Sequence, residues 1–232
     1  MCRNPQISIR TSQATSISRA IGFNKPKVNQ FFSVYKSLFE EHKFSVKQLW
    51  NMDETGITNV HKPGKIFATK DKQQVSKITS EERGASVTVV CAMSASGAYV
   101  PPLFIFPRKR MTNKLTVGAP SGSIIRVSSS GWTDSSLFIE WLAHFVAVTH
   151  ASKTNEQLIV LDGHYSHKTL EAINFCRDNG IHFKTLPPHC THNMQPLDRT
   201  FFKPLKVGYN TAASNWMLSH QGRKISFFLC KH

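Results

Sequence analysis

Residues 157–164 read Gln-Leu-Ile-Val-Leu-Asp-Gly-His, a short apolar run that ends in an acidic residue. A continuous run of apolar side chains is typical of a strand that is buried on both faces of a sheet. Asp162 directly follows the run, so the sequence predicts an acid at the carboxyl end of a buried strand. In α/β sheets these strand ends border the functional crevice, which makes Asp162 a candidate site residue.

Helical patterns flank this strand on both sides. Upstream, Thr133 is a suitable N-cap for a helix whose apolar stripe continues to about Thr149. Downstream, Ser166 is expected to cap a helix that stops at Gly180, and residues 181–186 form another strand-like run. The order helix, strand, helix, strand predicts strands joined by helical crossovers.

The preceding part of the chain has the pattern of antiparallel strands. Residues 49–53 form a short strand that Asp53 closes, and residues 86–93 alternate in the manner of a second strand. After a turn, residues 99–106 return as a third strand, in which Pro101-Pro102 favours an edge position or a bulge. These elements together predict an α/β fold, a mixed sheet flanked by helices.

The remaining segments carry weaker patterns. Residues 28–42 show helical spacing of apolar side chains, and residues 108–130 are predicted to be a loop. Pro196 opens a final helix, in which Pro204 implies a kink or a late restart. These segments add helices to the sheet and leave the fold class unchanged.

The composition limits the classes of protein that fit. Hydrophobic residues make up 40% of the 232 residues, which is enough for a folded core and excludes wholesale disorder. No apolar run reaches the ~18 residues of a membrane span, so no membrane partner is expected. Five scattered cysteines do not suggest a disulfide framework. The net charge of +15 favours nucleic acid as a partner, with a solvated basic surface as the alternative.

Acidic residues are scarce, and three of them lie at predicted ends of elements. Asp53 and Asp162 follow strands, and Asp198 lies in the first turn of the last helix. Carboxylates that converge without a cation repel each other, whereas Mg²⁺ takes hard oxygen ligands of this kind. Two such ions can hold the attacking and leaving oxygens of a phosphodiester. The alternative for each acid is an ordinary role as a turn cap, a helix cap or a first-turn acid.

Basic and aromatic side chains supply further candidates. Arg108, Lys109 and Arg110 form the best local basic patch, and Lys203 belongs to the basic series near the end of the chain. We expect these four residues to contact DNA phosphates, with a solvated loop tip as the alternative for the first three. The large aromatic side chains expected in the core are Trp132, Phe138, Trp141 and Phe145.

Histidines are concentrated near the second and third acids. His164, His167, His189 and His192, with Cys190 nearby, have short spacings of the kind that can hold zinc. The alternative is that they line the acidic cleft, where His164 and His189 would support the aspartates. A nucleophilic cysteine is a weaker interpretation, because no oxyanion donor or base can be assigned to it.

Seven stretches of this sequence resemble one known group of proteins. They are residues 50–56 (WNMDETG), 62–65 (KPGK), 80–84 (SEERG), 101–107 (PPLFIFP), 130–132 (SGW), 161–167 (LDGHYSH) and 187–198 (PPHCTHNMQPLD). They occur in colinear order. On these motifs the chain resembles the DDE transposases of the pogo/Tigger/jerky group, that is, the DDE-1 endonuclease domain.

This resemblance implies an RNase H-like fold in which Asp53, Asp162 and Asp198 form a triad of metal ligands. Thirty-five residues separate the second and third acids (198 − 162 − 1), a spacing that suits a pogo-type enzyme. The implied chemistry is cleavage of DNA at transposon ends followed by strand transfer, with two Mg²⁺ or Mn²⁺ ions as cofactors. A nuclear location and a homodimer are further implications.

The resemblance also implies a division into domains. Residues 1–43 would be a linker and helix remnant that follows a missing helix-turn-helix region, residues 44–226 the catalytic domain, and residues 227–232 a divergent tail. Gly163 stands where many relatives have Asn. Two other functions stay open at this point: a non-catalytic nucleic-acid-binding remnant of a transposase, and an RNase H-type ribonuclease.

Overall fold

The computed structural model describes residues 21–60 and 84–220, together with Arg223 and Ile225. Its strands are β1 Leu49–Thr58, β2 Ser86–Ser94, β3 Tyr99–Pro107, β4 Ile124–Ser128, β5 Gln157–Leu161 and β6 Ile181–Thr185. Its α-helices are α1 Lys25–His42, α2 Ser135–Thr149, α3 Leu170–Asp178, α4 Thr191–Met194, α5 Pro196–Thr200 and α6 Phe202–Ser219. The motif at residues 62–65 and most of the motif at residues 80–84 lie outside the described residues.

The strands form one mixed sheet in the order β4–β3–β2–β1–β5–β6. Strands β1, β2 and β3 are successively antiparallel, whereas β5 lies parallel to β1 and β6 lies parallel to β5. The predicted sequence of antiparallel strands followed by strand–helix alternation is therefore confirmed. The fold is α/β, a mixed sheet flanked by helices.

One strand was missed by the sequence analysis. Residues 108–130 were predicted to be a loop, but they contain the 3-10 helix Asn113–Leu115 and strand β4. The prediction is wrong because β4 has only five residues and is defined by its parallel pairing with β3. A strand this short carries too little periodicity to be recognised without its partner.

The two prolines of β3 lie where the strand has a partner on one side only. Pairing with β4 begins at Leu103, just after Pro101-Pro102. On the other side, the register between β2 and β3 shifts between Val90 and Ala92. The bulge interpretation is thus confirmed, whereas the edge interpretation holds only for the first part of β3, because β4 covers the remainder.

Two predicted helix caps are wrong by a few residues. Asp134, and not Thr133, caps α2, because its side chain accepts a hydrogen bond of 2.9 Å from the backbone N–H three residues on. Thr169, and not Ser166, caps α3 in the same manner. Ser166 is instead fully buried in a preceding 3-10 turn. Both predictions failed because a second capping residue lies nearby, and tertiary packing selects between them.

Helices cover both faces of the sheet. One apolar cluster lies under α2 and α3, and in it Phe138, Trp141 and Phe145 are almost fully buried, as predicted. A second cluster lies on the opposite face under α5 and α6. Trp132, which was also predicted to be in the core, is 64% exposed because it precedes α2 in a loop. The sheet is thus buried on both sides around its centre.

The helices near the two ends of the described chain follow local rules. Helix α1 is capped by the Asn24 side chain and ends at a left-handed Lys43. Helices α5 and α6 are separated at Phe201, and α6 begins two residues before Pro204. The late-restart interpretation is confirmed. A proline is tolerated in the first turn because the backbone N–H groups there have no partner within the helix. None of the described helices is long and apolar enough to cross a membrane.

Candidate active site

Asp53 lies in the middle of β1 and not at its end. The strand continues to Thr58, because its second half pairs with β2 from Asp53 opposite Cys91 onward. The prediction that this acid closes the strand is therefore wrong. Pairing with the parallel strand β5 covers only residues 49–51 of β1. Asp53 consequently lies just beyond the part of β1 that β5 covers.

Asp162 directly follows β5, as predicted. In the parallel pair, Asn51 lies opposite Val160, so the same register carried two residues further places Asp53 level with Asp162. Neighbouring strands are about 4.8 Å apart. The sheet itself thus places two acids side by side, although 109 positions separate them in the sequence (162 − 53).

A buried amide pair joins the strands of this site to the residue that precedes α5. Nδ2 of Asn51 donates hydrogen bonds to Oε1 of Gln195 at 2.7 Å and to the Val160 carbonyl at 2.9 Å. In turn, Nε2 of Gln195 donates to the Met52 carbonyl at 3.1 Å. Gln195 is completely buried. Because these hydrogen bonds are made inside the core, they fix the entrance to α5 against β1 and β5.

The same network sets the position of the third acid. The Leu197 N–H donates to Oδ1 of Asn51 at 3.0 Å. Leu197 and Asp198 are neighbours in the first turn of α5, so the backbone that carries the acid is bonded to β1 two residues before Asp53. The structure therefore connects the element of each predicted acid through one polar side chain.

The three carboxylates influence each other's protonation. The pKa of Asp53 is raised to about 7, chiefly because the carboxyl is buried and in part because Asp198 and Asp162 are nearby. The pKa of Asp198 is raised by partial burial and by Asp162, although Lys206 opposes this. Such mutual effects require proximity. The structure thus brings the three acids together, and their role as metal ligands stays a prediction.

Asp162 has a further neighbour that the sequence analysis did not assign to it. Nδ1 of His167 lies 3.0 Å from Oδ1 of Asp162, and Nε2 of the same ring lies 3.5 Å from Oε1 of Glu54. Burial disfavours a charged imidazole, but the two carboxylates prevail and raise the pKa of His167 to about 9. For Asp162, burial raises the pKa, but the contacts with His167 and His164 outweigh this effect. The pKa of Asp162 is therefore lowered overall. The second acid is therefore held as a carboxylate.

The first acid is less well compensated, because burial raises its pKa by more than hydrogen bonds from the Glu54 backbone and the Gln195 side chain lower it. Oδ2 of Asp53 is buried and has no hydrogen-bond partner among the described residues. A buried carboxylate oxygen without a donor is costly, and a cation removes that cost. Three carboxylates form an all-oxygen donor set, which suits Mg²⁺ or Mn²⁺. Their oxygens do not all lie within 4.8 Å of one another, so a shared cation would require the side chains to move closer together. The residues fit a hard divalent cation on chemical grounds.

The predicted DNA-contacting residues lie in two places. Arg108, Lys109 and Arg110 are exposed after β3, whose carboxyl end lies at the same edge of the sheet as that of β1. Strand β2 lies between β1 and β3, so this basic patch is about 10 Å or more from the acids. Lys203 is exposed in the first turn of α6, and Lys206 acts on the pKa of Asp198. Contact of these residues with DNA stays a prediction.

The two histidines predicted to support the aspartates differ in position. The His164 N–H donates to Oδ1 of Asp162 at 3.1 Å, and its ring bonds to the Ser166 hydroxyl at 2.7 Å. His189 has a left-handed backbone and packs against Gly22. No group formed from the four histidines near the acids meets the spacing of a shared metal ion within the described part of the chain.

Several residues of the site escaped the sequence analysis. Asn51 and Gln195 lie inside two of the family motifs, yet no role was given to them, and His167 was considered only as a zinc ligand or as a residue that lines the cleft. One pattern in the sequence could have indicated the two amides: each lies two or three residues before a candidate acid, in an apolar stretch. That Asn51 pairs with Gln195, 144 residues away (195 − 51), could not be read from the sequence. Glu54 follows Asp53 in β1, so its side chain lies on the opposite face of the sheet, where it contacts His167.

The sheet order, the helices on both faces and the acids on adjacent strands define an RNase H-like protein. The family model described as "DDE superfamily endonuclease" matches residues 84–230. The chain belongs to this family, as the resemblance predicted. The match covers more than half of the chain, including the second and third acids and the network residue Gln195.

Curated relatives extend the likeness upstream of residue 84. A protein of Cochliobolus lunatus named "MFS-type transporter clz9" is 28% identical over 201 residues, which is 84% of this chain and 21% of that protein. The human "Pogo transposable element with KRAB domain" is 27% identical over 187 residues, which is 79% of this chain and 30% of that protein. The chain therefore spans less than a third of the length of these relatives, and the functions in their names belong to longer proteins.

Two solved structures of the Mos1 transposase have a similar fold. The "Mos1 Strand Transfer Complex" aligns with a TM-score of 0.60 at 12% identity, over 100% of this chain and 60% of that chain. The "Mos1 mariner paired end complex with Mn" aligns with a TM-score of 0.59 at 10% identity, over 98% and 62%. At this level of identity the likeness concerns the fold, and it confirms the predicted RNase H-like architecture.

Proposed function

We propose that this chain is the catalytic part of a DNA transposase that cleaves and joins phosphodiester strands with divalent metal ions. The observation that carries the proposal is the convergence of Asp53, Asp162 and Asp198 in a DDE-family fold, with a buried oxygen of Asp53 lacking a donor. One relative is named as a pogo transposable element. Similar folds are named as transposase complexes with a transposon end or with Mn. These names support DNA as the partner and Mg²⁺ or Mn²⁺ as the cofactor.

In the proposed mechanism, Asp162 and Asp53 start in different protonation states. Asp162 is already a carboxylate, whereas Asp53 must lose a proton, because its pKa is raised to about 7 by burial and by the neighbouring acids. Two bound ions would supply the positive charge that stabilises the attacking and leaving oxygens of the phosphodiester. The amides of Asn51 and Gln195 keep the backbones of all three acids in register while the side chains adjust.

Basic side chains would hold the DNA backbone beside the acids. Lys203 and Lys206 extend from the first turns of α6, directly after the helix that carries Asp198. Arg108, Lys109 and Arg110 offer a second contact area at the same edge of the sheet. Contacts with phosphates position a duplex without reading its sequence, so binding should weaken steeply as salt rises.

The test is nicking of supercoiled plasmid in the presence of Mn²⁺. We expect the parent chain to nick, and Asp162→Asn to abolish nicking while the variant retains the parent's circular dichroism spectrum. Asp178→Asn is the matched control, since Asp178 is an exposed acid at the end of α3 and away from the triad. Equal nicking by Asp162→Asn and the parent would refute the catalytic assignment.

The substrate class is tested in the same assay. We expect duplex DNA to be cut in preference to an RNA–DNA hybrid, because the proposal assigns the site to transposition. Preferential cutting of the hybrid would instead indicate a ribonuclease. A parent chain that neither nicks nor gains thermal stability from Mn²⁺ would indicate a binding remnant, since a ligand of the native state must stabilise that state.

The assembly and location follow from the same proposal. A nuclear location is proposed because the substrate is chromosomal DNA. A homodimer is proposed because similar folds are named as paired-end complexes. Sedimentation velocity with and without a DNA duplex tests the second point, and a mass of one chain at all concentrations would contradict it.

A further inference from the structure

A second group of donor side chains lies at the amino end of β5, the opposite end from Asp162. His42 is the last residue of α1, Glu156 directly precedes β5, and His182 is the second residue of β6. One donor atom from each residue lies within 4.8 Å of the other two, and within the described residues this is the one group of His, Cys, Asp or Glu side chains that meets this criterion.

This cluster is separate from the proposed active site. Asp162 lies six positions after Glu156 along extended chain, which corresponds to roughly 20 Å. Nothing in the proposed reaction uses the three side chains. A ligand bound to them would therefore act on the structure or its partners, and not on the phosphodiester.

The contacts inside the cluster already resemble a coordination sphere. Nδ1 of His42 lies 2.7 Å from Oε2 of Glu156, and Nε2 of His182 lies 3.4 Å from Oε1 of the same carboxylate. The two imidazole rings are 4.0 Å apart between centroids. In a tetrahedral zinc site with bonds of 2.0–2.1 Å, donor atoms are about 3.3 Å apart. Small side-chain rotations would bring the observed distances to that value.

The surrounding structure holds these side chains in place. Buried Phe44 stacks on the His42 ring at 5.3 Å and meets the His182 ring edge-on at 5.6 Å. The Gln48 amide donates to the Glu156 carbonyl at 2.9 Å. The backbone of His182 is fixed opposite Leu158 in the β5–β6 pair. The donors are thus supplied by three elements and oriented by packing, as a preorganised site requires.

The donor types point to zinc more than to a hard cation. Two imidazoles and one carboxylate form a set of three protein ligands that zinc accepts, with a fourth position open to water. The side chains are only partly exposed, at 19% for His42, 33% for Glu156 and 28% for His182. Lys153 and Arg177 line the adjoining cavity, and their charge will weaken cation binding. We therefore expect an affinity in the micromolar range.

We propose that His42, Glu156 and His182 form a zinc-binding site that fastens α1 to the β5–β6 side of the sheet. The site would anchor the helix through which the chain enters the domain. Without the ion, Glu156 bridges the two histidines directly. With the ion bound, the same three groups become ligands of one centre, and separation of α1 from the sheet requires breaking a metal–ligand bond.

The test is a calorimetric titration of Zn²⁺ into the 232-residue protein after removal of metals. With excess Mg²⁺ present to occupy the proposed active site, we expect one zinc ion to bind with a dissociation constant in the micromolar range, and a rise in the melting temperature with zinc concentration. His42→Asn and His182→Asn should each weaken this binding by about 100-fold. Co²⁺ in place of Zn²⁺ should give the visible absorption of a four-coordinate ion in the parent only.

Two comparisons keep the outcome interpretable. Asp162→Asn should bind zinc as the parent does, which separates this site from the proposed active site. Glu156→Gln removes the charged ligand but retains the shape of the side chain. It replaces the histidine variants as the test of zinc binding if one of them does not fold. Unchanged zinc affinity in His42→Asn, His182→Asn and Glu156→Gln would overturn the proposal. A parent dissociation constant above about 100 µM would overturn it as well.

Discussion

The two ends of strand β5 each gather charged side chains from three elements, but they balance those charges differently. At the amino end, Glu156 lies between two histidines, and these contacts outweigh burial to lower its pKa. At the carboxyl end, Asp53 lies beside two other acids, and burial and repulsion raise its pKa. Two of the acids there have basic neighbours: His167 lies beside Asp162, and Lys206 opposes the rise in the pKa of Asp198.

The difference indicates which end would gain more stability from a bound cation. The amino end is internally compensated, so it contributes a modest stabilisation by itself, and an ion can only add to it. The carboxyl end is held together against its own repulsion by the buried amides of Asn51 and Gln195. Binding sites commonly store such an electrostatic cost, because the ligand then removes it.

The largest expected effect comes from breaking the amide network. Gln195→Ala removes one hydrogen bond from each of the buried groups of Asn51 and Met52, and it also opens a cavity, so we expect a loss of about 3 kcal/mol in the free energy of unfolding. Nicking should fall at least tenfold, because α5 is no longer fixed to β1. Urea denaturation and the plasmid assay measure the two quantities.

Its matched control lies at the other end of β5. Gln48→Ala removes an amide that holds the Glu156 carbonyl, but Gln48 is only partly buried. Its cost should be under about 1 kcal/mol, with nicking unchanged. Similar costs for the two glutamine variants would contradict the view that the carboxyl end depends on its network.

The next effect sharpens the electrostatic comparison. The folded-state pKa of Asp53 is raised to about 7, so its contribution to stability is complete below pH 4 and is lost as the pH rises to 7. Asp53→Asn removes this loss. We therefore compare the free energy of unfolding of the variant with that of the parent in EDTA. The difference in favour of the variant should be larger at pH 8 than at pH 5, by on the order of 2 kcal/mol. An equal difference at the two pH values, measured by urea denaturation, would show that the pKa of Asp53 is not raised in the folded protein.

A smaller effect of opposite sign is expected at the amino end. The pKa of Glu156 is lowered because its two histidine contacts outweigh the effect of burial. Its stabilisation is therefore present above the ordinary carboxyl range and is lost as the pH falls through the lowered pKa. In EDTA, Glu156→Gln should cost under about 1 kcal/mol at pH 6 and nothing at pH 2. A cost that grew on acidification would reverse this assignment.

The smallest effect is expected beside Asp162. The backbone of Gly163 is not in the left-handed region, and an added Cβ would meet only the flexible end of Lys168, at 3.1 Å. Gly163→Asn, which restores the residue that the family resemblance suggests, should change the free energy of unfolding by no more than about 0.5 kcal/mol. A fall of several degrees in the melting temperature would show that the turn requires glycine.

Much of the fold could be predicted because its signals are local. The apolar run at residues 157–161 and the alternation at residues 86–93 each define a strand without outside information, and both strands are observed. The caps were misplaced because Thr133 and Asp134 satisfy the same local rule. Strand β4 was missed because its existence depends on β3. Trp132 was misplaced because an aromatic residue alone does not reveal which side of a turn it occupies.

Some residues of the candidate site could likewise be predicted from the sequence, and others could not. The three acids could be selected because acids are scarce and lie close to predicted element ends, even though Asp53 proved to be inside its strand. The residues that assemble the acids could not be selected, because their partners are more than a hundred positions away. The His42–Glu156–His182 group was missed for the same reason, since its members share no motif.

The sequence by itself determined the fold class, the family and the choice of three candidate acids, because apolar periodicity and short motifs are properties of neighbouring residues. The tertiary structure alone decided that Asp53 lies level with Asp162, that one glutamine holds α5 to β1, and that two histidines meet across Glu156. These relations depend on strand register and packing between distant segments, and no local free energy encodes them.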